Sequence, residues 1–418
     1  MKIAYIVGQF PSQTQTFIQS QIVGMIEAGH DVHVFAGKPS DDFQIPGELK
    51  KYHLRERTSY QAIPNSALLR FAIAVGLVVK YIWRFPVPIL RALNVFRFGR
   101  SAATFSLLYQ IIPFLGKGPF DIIHCQFGTY GPQGLNLKQV LSETAKVVTS
   151  FRGFDATKAV LARPDLYQTL FREGDLFLPV SHSLKRLIIQ LGCNEDKIVV
   201  LPSGIKCHTL PFSPKILKHG EPVRVITIAR LVEKKGIAYA IHAIEAIVKS
   251  GKSIQYSIIG DGELRGDLEQ LIEEKDLKKF VQLLGWKSHE NVIRLLKDAH
   301  ILIAPSVTAI DGDQEGIPNA IKEAMALGLP VIGTQHSGIP EIVEDGVSGF
   351  LVQERNAEAL ADRLSFLIDH SEKWADMGRA ARVRVETDYD IKILNDRLVE
   401  LYGQVCEKRK PLNIKRPM

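Results

Sequence analysis

Short, nearly unbroken apolar runs alternate with longer amphipathic stretches from one end of the chain to the other. Runs that short and that apolar read as strands buried on both faces, the pattern of a parallel sheet with helical crossovers. KIAYIVGQF (2–10) is the first strand, breaking at Gly8; an amphipathic helix near 15–28 follows and stops at Gly29. DVHVFAG (31–37), DIIHCQFGTYG (121–131), VVTSFRGFDAT (147–157) and DLFLPV (175–180) supply further strands, each delivering polar or glycine residues at or beyond its end. Ser181 or Ser183 caps a helix ending at Gly192, and KIVVLPSGI (197–205) closes this half with one more strand.

The second half repeats the pattern. CHTLPFSPKILKHGEP (207–222) is rich in proline and polar residues without periodicity and reads as a linker. VRVITIARL (223–231), the first run of IQYSIIGDGELRGDLEQLIEE (254–274), VQLLGW (281–286), HILIAP (300–305) and PVIGT (330–334) are strands. SGIPEIVEDGVSGFLV (337–352) reads as helix, turn and strand, and helices near 356–370 and 373–386 follow. The expected division is a first domain over 1–206, the linker, a second domain over 223–387, a helix over 388–407 and a tail. The tail, KRKPLNIKRPM (408–418), predicts disorder.

Composition adds limits. Hydrophobic residues at 46% and charged residues at 23% fit a soluble globular protein. Cys125, Cys193, Cys207 and Cys406 lie far apart with no CxxC, which argues against a zinc site or disulfide framework and fits a reducing cytoplasm. The opening MKIAYIVGQF carries no signal-peptide cleavage pattern, and no uncharged apolar run reaches the roughly 18 residues of a spanning helix. The net charge of +7 is uneven: no Asp or Glu occurs over 58–120, where Arg70, Lys80, Arg84, Arg91, Arg97, Arg100 and Lys117 are interleaved with aromatic residues. Such a segment predicts attraction to an anionic membrane surface, with packed helices bearing solvated basic faces as the plainer alternative. No nucleic-acid-binding module is present, so nucleic acid is not an expected partner.

The most informative stretch is EGIPNAIKEAMALGLPVIGT (315–334). Pro318 suits a first helical position, and Gly328 with Pro330 stops the run, predicting a helix near 318–327. A strand–loop–helix–strand unit binds its ligand beyond the carboxyl ends of its strands, and free N–H groups at the helix start favour an anion such as phosphate. Glu315, before the helix, and Glu323, inside it, add two carboxylates suited to hydroxyl groups. An anion together with several hydroxyls describes a sugar nucleotide.

With that spacing and the run around it, the stretch resembles the retaining glycosyltransferases of GT-B type, the family-4 group. SVTAIDGDQEGIPNAIKEAMA and FPSQTQTFIQSQI are most similar to the colanic-acid and exopolysaccharide subgroup. IARLVEKKG (228–236) resembles the family's Gly-Arg-Leu-x-x-x-Lys-Gly signature, with Ala229 in place of the first glycine. The resemblance implies an α/β GT-B fold: two Rossmann-like domains facing across a cleft, with the last helix, IKILNDRLVELYGQVC (391–406), crossing back onto the first. It assigns Arg230 and Lys235 to the donor diphosphate and Glu323 to the ribose hydroxyls. Glu315, with the backbone of Gly316, Ile317, Pro318 and Asn319, would hold the sugar and the nearby phosphate. Gly262 would let the chain approach the ligand, Gly8 is a weaker phosphate candidate, and Trp286 and Lys287 lie where relatives meet the base. Many relatives carry histidines where Gln126 and Arg152 stand, so the resemblance puts Arg152 near the donor sugar, holding a phosphate or an acidic acceptor. His124 reads as a core residue.

The expectation is a metal-independent, retaining hexosyltransferase with no cofactor beyond its donor substrate, a nucleotide diphosphate sugar, UDP first and GDP second. The acceptor implied is a lipid-linked oligosaccharide at the inner face of the cell membrane. Asp311-Gly312-Asp313 keeps a metal-dependent reading open. A non-catalytic sugar-nucleotide-binding scaffold and a phosphorylase or epimerase are the alternatives.

Overall fold

The computed structural model describes residues 1–12, 15–39, 47–141 and 144–407; Gln13 and Thr14 of the first loop and the tail 408–418 lie outside the described residues. The apolar runs form two six-stranded parallel sheets. The first contains β1 (Lys2–Gln9), β2 (Asp31–Lys38), β3 (Thr58–Tyr60), β4 (Ile122–Cys125), β5 (Lys146–Phe151) and β6 (Leu176–Pro179), ordered β3-β2-β1-β4-β5-β6. The second contains β7 (Val223–Ile228), β8 (Ile254–Ile259), β9 (Val281–Gly285), β10 (Ile301–Ala304), β11 (Val331–Thr334) and β12 (Gly349–Val352), ordered β12-β11-β10-β7-β8-β9. In each sheet the order reverses beside the first strand, and the crevice at that reversal is where such sheets bind ligands.

Alternation along β1 divides the first core. Ile3, Tyr5 and Val7 face the helix Thr16–Glu27 and the last helix, Ile391–Glu407; Ala4 and Ile6 face Phe35, Ile111 and Phe114. The last helix is tied to the first sheet by polar contacts as well: the Tyr402 hydroxyl meets Tyr5 Oη at 3.1 Å and His124 Nδ1 at 2.5 Å. His124, whose other ring nitrogen meets Ser150 Oγ at 2.9 Å, is therefore the satisfied core residue expected. The chain crosses between sheets twice, and the crossings pair: Ile205 N–H donates to Tyr389 O and Ile391 N–H to Ile205 O, both at 2.9 Å.

Three local expectations need correction. The central helix is Asn319–Ala326, because Pro318 lies just outside it with an extended ψ of 129°. β1 runs through Gly8 rather than breaking there. KIVVLPSGI is not a strand: Ile198 makes an isolated bridge to Phe177, and the chain, with no N–H at Pro202, then leaves for the second sheet. The basic segment folds as β3 followed by short helices, the longest being Ala67–Tyr81 and Pro86–Ala92.

Candidate functional site

The reversal in the second sheet puts β7 beside β10, so the loops following these two strands converge. After β7 a tight turn, Glu233–Lys235, is closed by Gly236 at φ +60°, where a Cβ would sit 2.0 Å from Pro305 O. This close approach carries both lysines to Glu315. Lys235 Nζ lies 3.0 Å from Glu315 Oε2, and Lys234 Nζ lies 3.2 Å from Glu315 Oε1 and 3.0 Å from Asp313. Burial works to raise the Glu315 pKa, but Lys235 and Lys234 outweigh it and bring it down to about 2. Arg230, just past the end of β7, is exposed, and its guanidinium makes no ion pair or hydrogen bond among the described residues.

Beyond Glu315 the chain enters the central helix. Among the described residues the N–H groups of Gly316, Ile317 and Asn319 donate to no protein acceptor, and Pro318 has no N–H to offer. Glu323 lies just over one turn along, with Oε1 3.0 Å from His289 Nε2 at the start of the helix His289–Asp298. That hydrogen bond raises the His289 pKa, burial opposing it. Lys322 points the other way and is fully buried; its Nζ donates to Ser203 O at 2.7 Å and Asn319 Oδ1 at 3.0 Å. Burial, reinforced by the charge of Arg152, pushes its pKa down to about 7.

The first domain closes over this loop. A Cβ on Gly316 would lie 2.7 Å from Arg152 O, and one on Gly153 would lie 2.7 Å from Gln314 O. Asp155 shapes this edge by accepting from the N–H groups of Gly128, Arg152 and Gly153. Glu341 of the second domain accepts from His182 N and Ser183 N at 2.8 Å each, completing the N-terminus of the helix His182–Gln190, whose own cap is Ser181.

Several expected site residues sit differently from the reading above. It is the backbone of Arg152 that meets the Glu315 loop. Its guanidinium goes to Gln126 O (2.9 Å), Gln126 Oε1 (2.6 Å) and Ser203 Oγ (2.8 Å), and lies over the Phe17 ring. Gln126 and Arg152 are thus partners here, and three hydrogen bonds of the Arg152 guanidinium go to protein acceptors. A Cβ on Gly8 would overlap the Tyr130 hydroxyl; at Gly262 it would strike the Leu231 backbone, a close approach between two loops. Asp311 pairs with Lys158 (2.6 Å) and Asp313 with Lys234. Trp286 is half exposed beyond β9. Lys234, Lys322, His289 and His336 were not singled out by the sequence, because their roles depend on partners distant along the chain or on which of two neighbouring residues turns inward.

Two Rossmann-like parallel sheets, with the last helix packed back onto the first, are the GT-B architecture of glycosyltransferases. The chain belongs to the glycosyltransferase group-1 and family-4 families. The model described as Glycosyl transferases group 1 matches residues 211–384, and that described as Glycosyltransferase Family 4 matches residues 14–209. The amylovoran biosynthesis glycosyltransferase AmsK of Erwinia amylovora is 34% identical over 413 residues, 97% of this chain and 100% of that protein. The putative colanic acid biosynthesis glycosyltransferase WcaL of Escherichia coli K12 is 35% identical over 409 residues, 96% of this chain and 99% of that one. In fold, the Anabaena protein Alr3699/HepE, crystallised in complex with UDP, superposes with a TM-score of 0.69 at 17% identity, covering 97% of this chain and 100% of that one.

Proposed function

We propose that this glycosyltransferase moves a hexose, with retention and without a metal, from a nucleotide diphosphate sugar to a lipid-linked oligosaccharide in exopolysaccharide synthesis. The observation that carries the proposal is the Glu315 crevice: an ionised carboxylate between Lys234 and Lys235, with exposed Arg230 following β7 and with N–H groups of Gly316, Ile317 and Asn319 that have no acceptor among the described residues. A leaving diphosphate develops negative charge, and preorganised cations and N–H groups stabilise that charge in the transition state. Glu315 holds sugar hydroxyls, Glu323 with His289 holds the ribose, and Arg230 and Lys235 hold the diphosphate. Retention follows the resemblance to the family-4 group: the acceptor attacks from the leaving-group face, and a phosphate oxygen takes its proton. Metal independence is supported by Asp311 and Asp313 each being paired with a lysine. UDP is the first donor base to test, given the fold relative crystallised with it, and GDP the second.

The acceptor side is supported by the helix Ala67–Tyr81, of which only Ala74 is buried. Leu68, Trp83 and Phe96 are 85%, 89% and 105% exposed, in a segment without Asp or Glu. An apolar, cationic, acid-free face suits an anionic bilayer at the inner side of the cell membrane; no described helix is long and apolar enough to cross one. The test is transfer from UDP- or GDP-hexoses to a membrane lipid extract in EDTA, with the anomeric configuration of the product read by NMR. An inverted product, or strict dependence on Mn²⁺, would overturn the mechanism. Unchanged sedimentation with anionic vesicles after replacing Trp83 and Phe96 by serine would overturn the membrane assignment.

A further inference from the structure

Three consecutive residues after β11 grip the loop that carries Glu315. The Glu315 N–H donates to His336 Nε2 at 3.1 Å, Ser337 Oγ donates to Glu315 O at 2.6 Å, and Gly338 N–H donates to Gly316 O at 3.2 Å. Ser337 holds this place with φ +47°, left-handed for a residue with a side chain, and a Cβ on Gly338 would lie 2.8 Å from Gly316 O. His336 is 1% exposed, and its role dictates its tautomer. Because Nε2 accepts, the ring proton sits on Nδ1, where it donates to Glu354 Oε1 at 2.7 Å. Glu354 is fixed in turn: its other oxygen accepts the Thr308 N–H at 2.8 Å. A carboxylate therefore orients an imidazole, and the imidazole orients the main chain of the carboxylate that faces the donor sugar.

We propose that His336 is a positioning residue for sugar transfer, acting through the Glu315 N–H under the control of Glu354. The proposal rests on reading Glu315 as the sugar-holding carboxylate. Glu315 lies in the irregular loop between β10 and the central helix, where no helix or sheet ladder defines its position. Lys234 and Lys235 attract its carboxylate but leave its main chain free to shift. A displacement of about 1 Å in such a group can cost on the order of 10²-fold in rate, so an anchor on its own amide has a catalytic consequence.

Three variants separate this role from packing. His336→Gln can return an acceptor near the Nε2 position, His336→Asn keeps only a donor toward Glu354, and Glu354→Gln leaves the ring but frees its tautomer. Two readouts are used: hydrogen exchange of the Glu315 amide, and kcat beside KM and the Kd of the nucleoside diphosphate. The Glu315 amide is expected to be protected in the wild type and in His336→Gln, and to exchange fast in His336→Asn. The Asn variant is expected to lose about 10- to 100-fold in kcat with its nucleotide Kd little changed, the Gln variant to recover most of that, and Glu354→Gln to fall between. Fast exchange in the wild type would overturn the clamp whether or not transfer is seen. Equal kcat losses in the Asn and Gln variants, or losses matching only a fall in folded protein, would overturn the positioning role. Failure of the wild type to bind any nucleoside diphosphate would instead overturn the functional reading, while the exchange result would still judge the clamp.

Discussion

Replacing Glu315 by glutamine probes the centre of the crevice. The change removes a largely buried carboxylate from between Lys234 and Lys235 and leaves both ammonium groups facing a neutral amide. The pKa of Glu315, lowered from 4.5 to about 2, corresponds to about 3 kcal/mol of net favourable interaction at neutral pH. Breaking a buried pair by deleting one partner costs about 3–5 kcal/mol, so the two estimates agree. For a folding unit of about 150–250 residues this is a fall of roughly 6–12 °C in the melting midpoint. The sign of the pH dependence follows from the depressed pKa: the stabilisation is complete above the unfolded value and disappears as pH falls through the folded one. The wild-type advantage over the variant is therefore about 3 kcal/mol at pH 7 and falls below half of that by pH 3. Calorimetry of both proteins at several pH values reads it directly. A gap below about 1 kcal/mol at pH 7, or one independent of pH, would refute the ion cluster.

Other perturbations test separate links. Glu323→Gln should weaken nucleoside diphosphate binding about 10- to 100-fold by titration calorimetry, the loss expected for a hydrogen bond to a charged group, with little effect on melting; unchanged binding would remove Glu323 from the ribose site. Lys322 has a folded pKa near 7 against 10.5 when unfolded, so between those values the unfolded chain binds more protons and stability rises with pH. Lys322→Met should lose that rise, and its stability relative to wild type should be highest near pH 7 and decline toward pH 10. Glu341→Ala removes the carboxylate from the N-terminus of the helix His182–Gln190 and should weaken domain closure by about 1–2 kcal/mol. A larger radius of gyration in solution scattering would register it.

Much of the fold was legible because its signals are local. Most of the apolar strands, a serine cap at 181 or 183 (the structure uses Ser181) and the glycine stops at Gly29, Gly192 and Gly328 needed no tertiary information. The Glu315–Glu323 stretch was legible because one contiguous run carries both carboxylates and the helix that holds the second. What stayed hidden depends on the strand order. His289 reaches Glu323 from the helix after β9, and His336 reaches Glu315 from the segment after β11; both pairings exist because β7 lies between β8 and β10, with β9 and β11 next to those. Periodicity cannot indicate that Lys234 turns inward alongside Lys235, because adjacent residues of a tight turn have no fixed facing. Arg152 was read as a ligand-facing residue; its backbone edges the Glu315 loop, and its side chain joins Gln126 and Ser203, a pairing that local sequence does not show. Gly8 and Gly262 were read as ligand-facing glycines; an added Cβ would meet Tyr130 at the first and the Leu231 backbone at the second, contacts that the sequence alone does not show.

The most direct test of the central claim is thermal stabilisation by UDP, GDP, ADP and CMP in EDTA, for the wild type and for Glu323→Gln. A ligand that binds only the native state, present at about 100 times its Kd, adds about 2.7 kcal/mol and raises the midpoint by several degrees. Such a shift is expected from one nucleoside diphosphate, UDP first, with no metal present and with most of it lost in the variant. The absence of a shift from every nucleotide, or an equal shift in the variant, would contradict it.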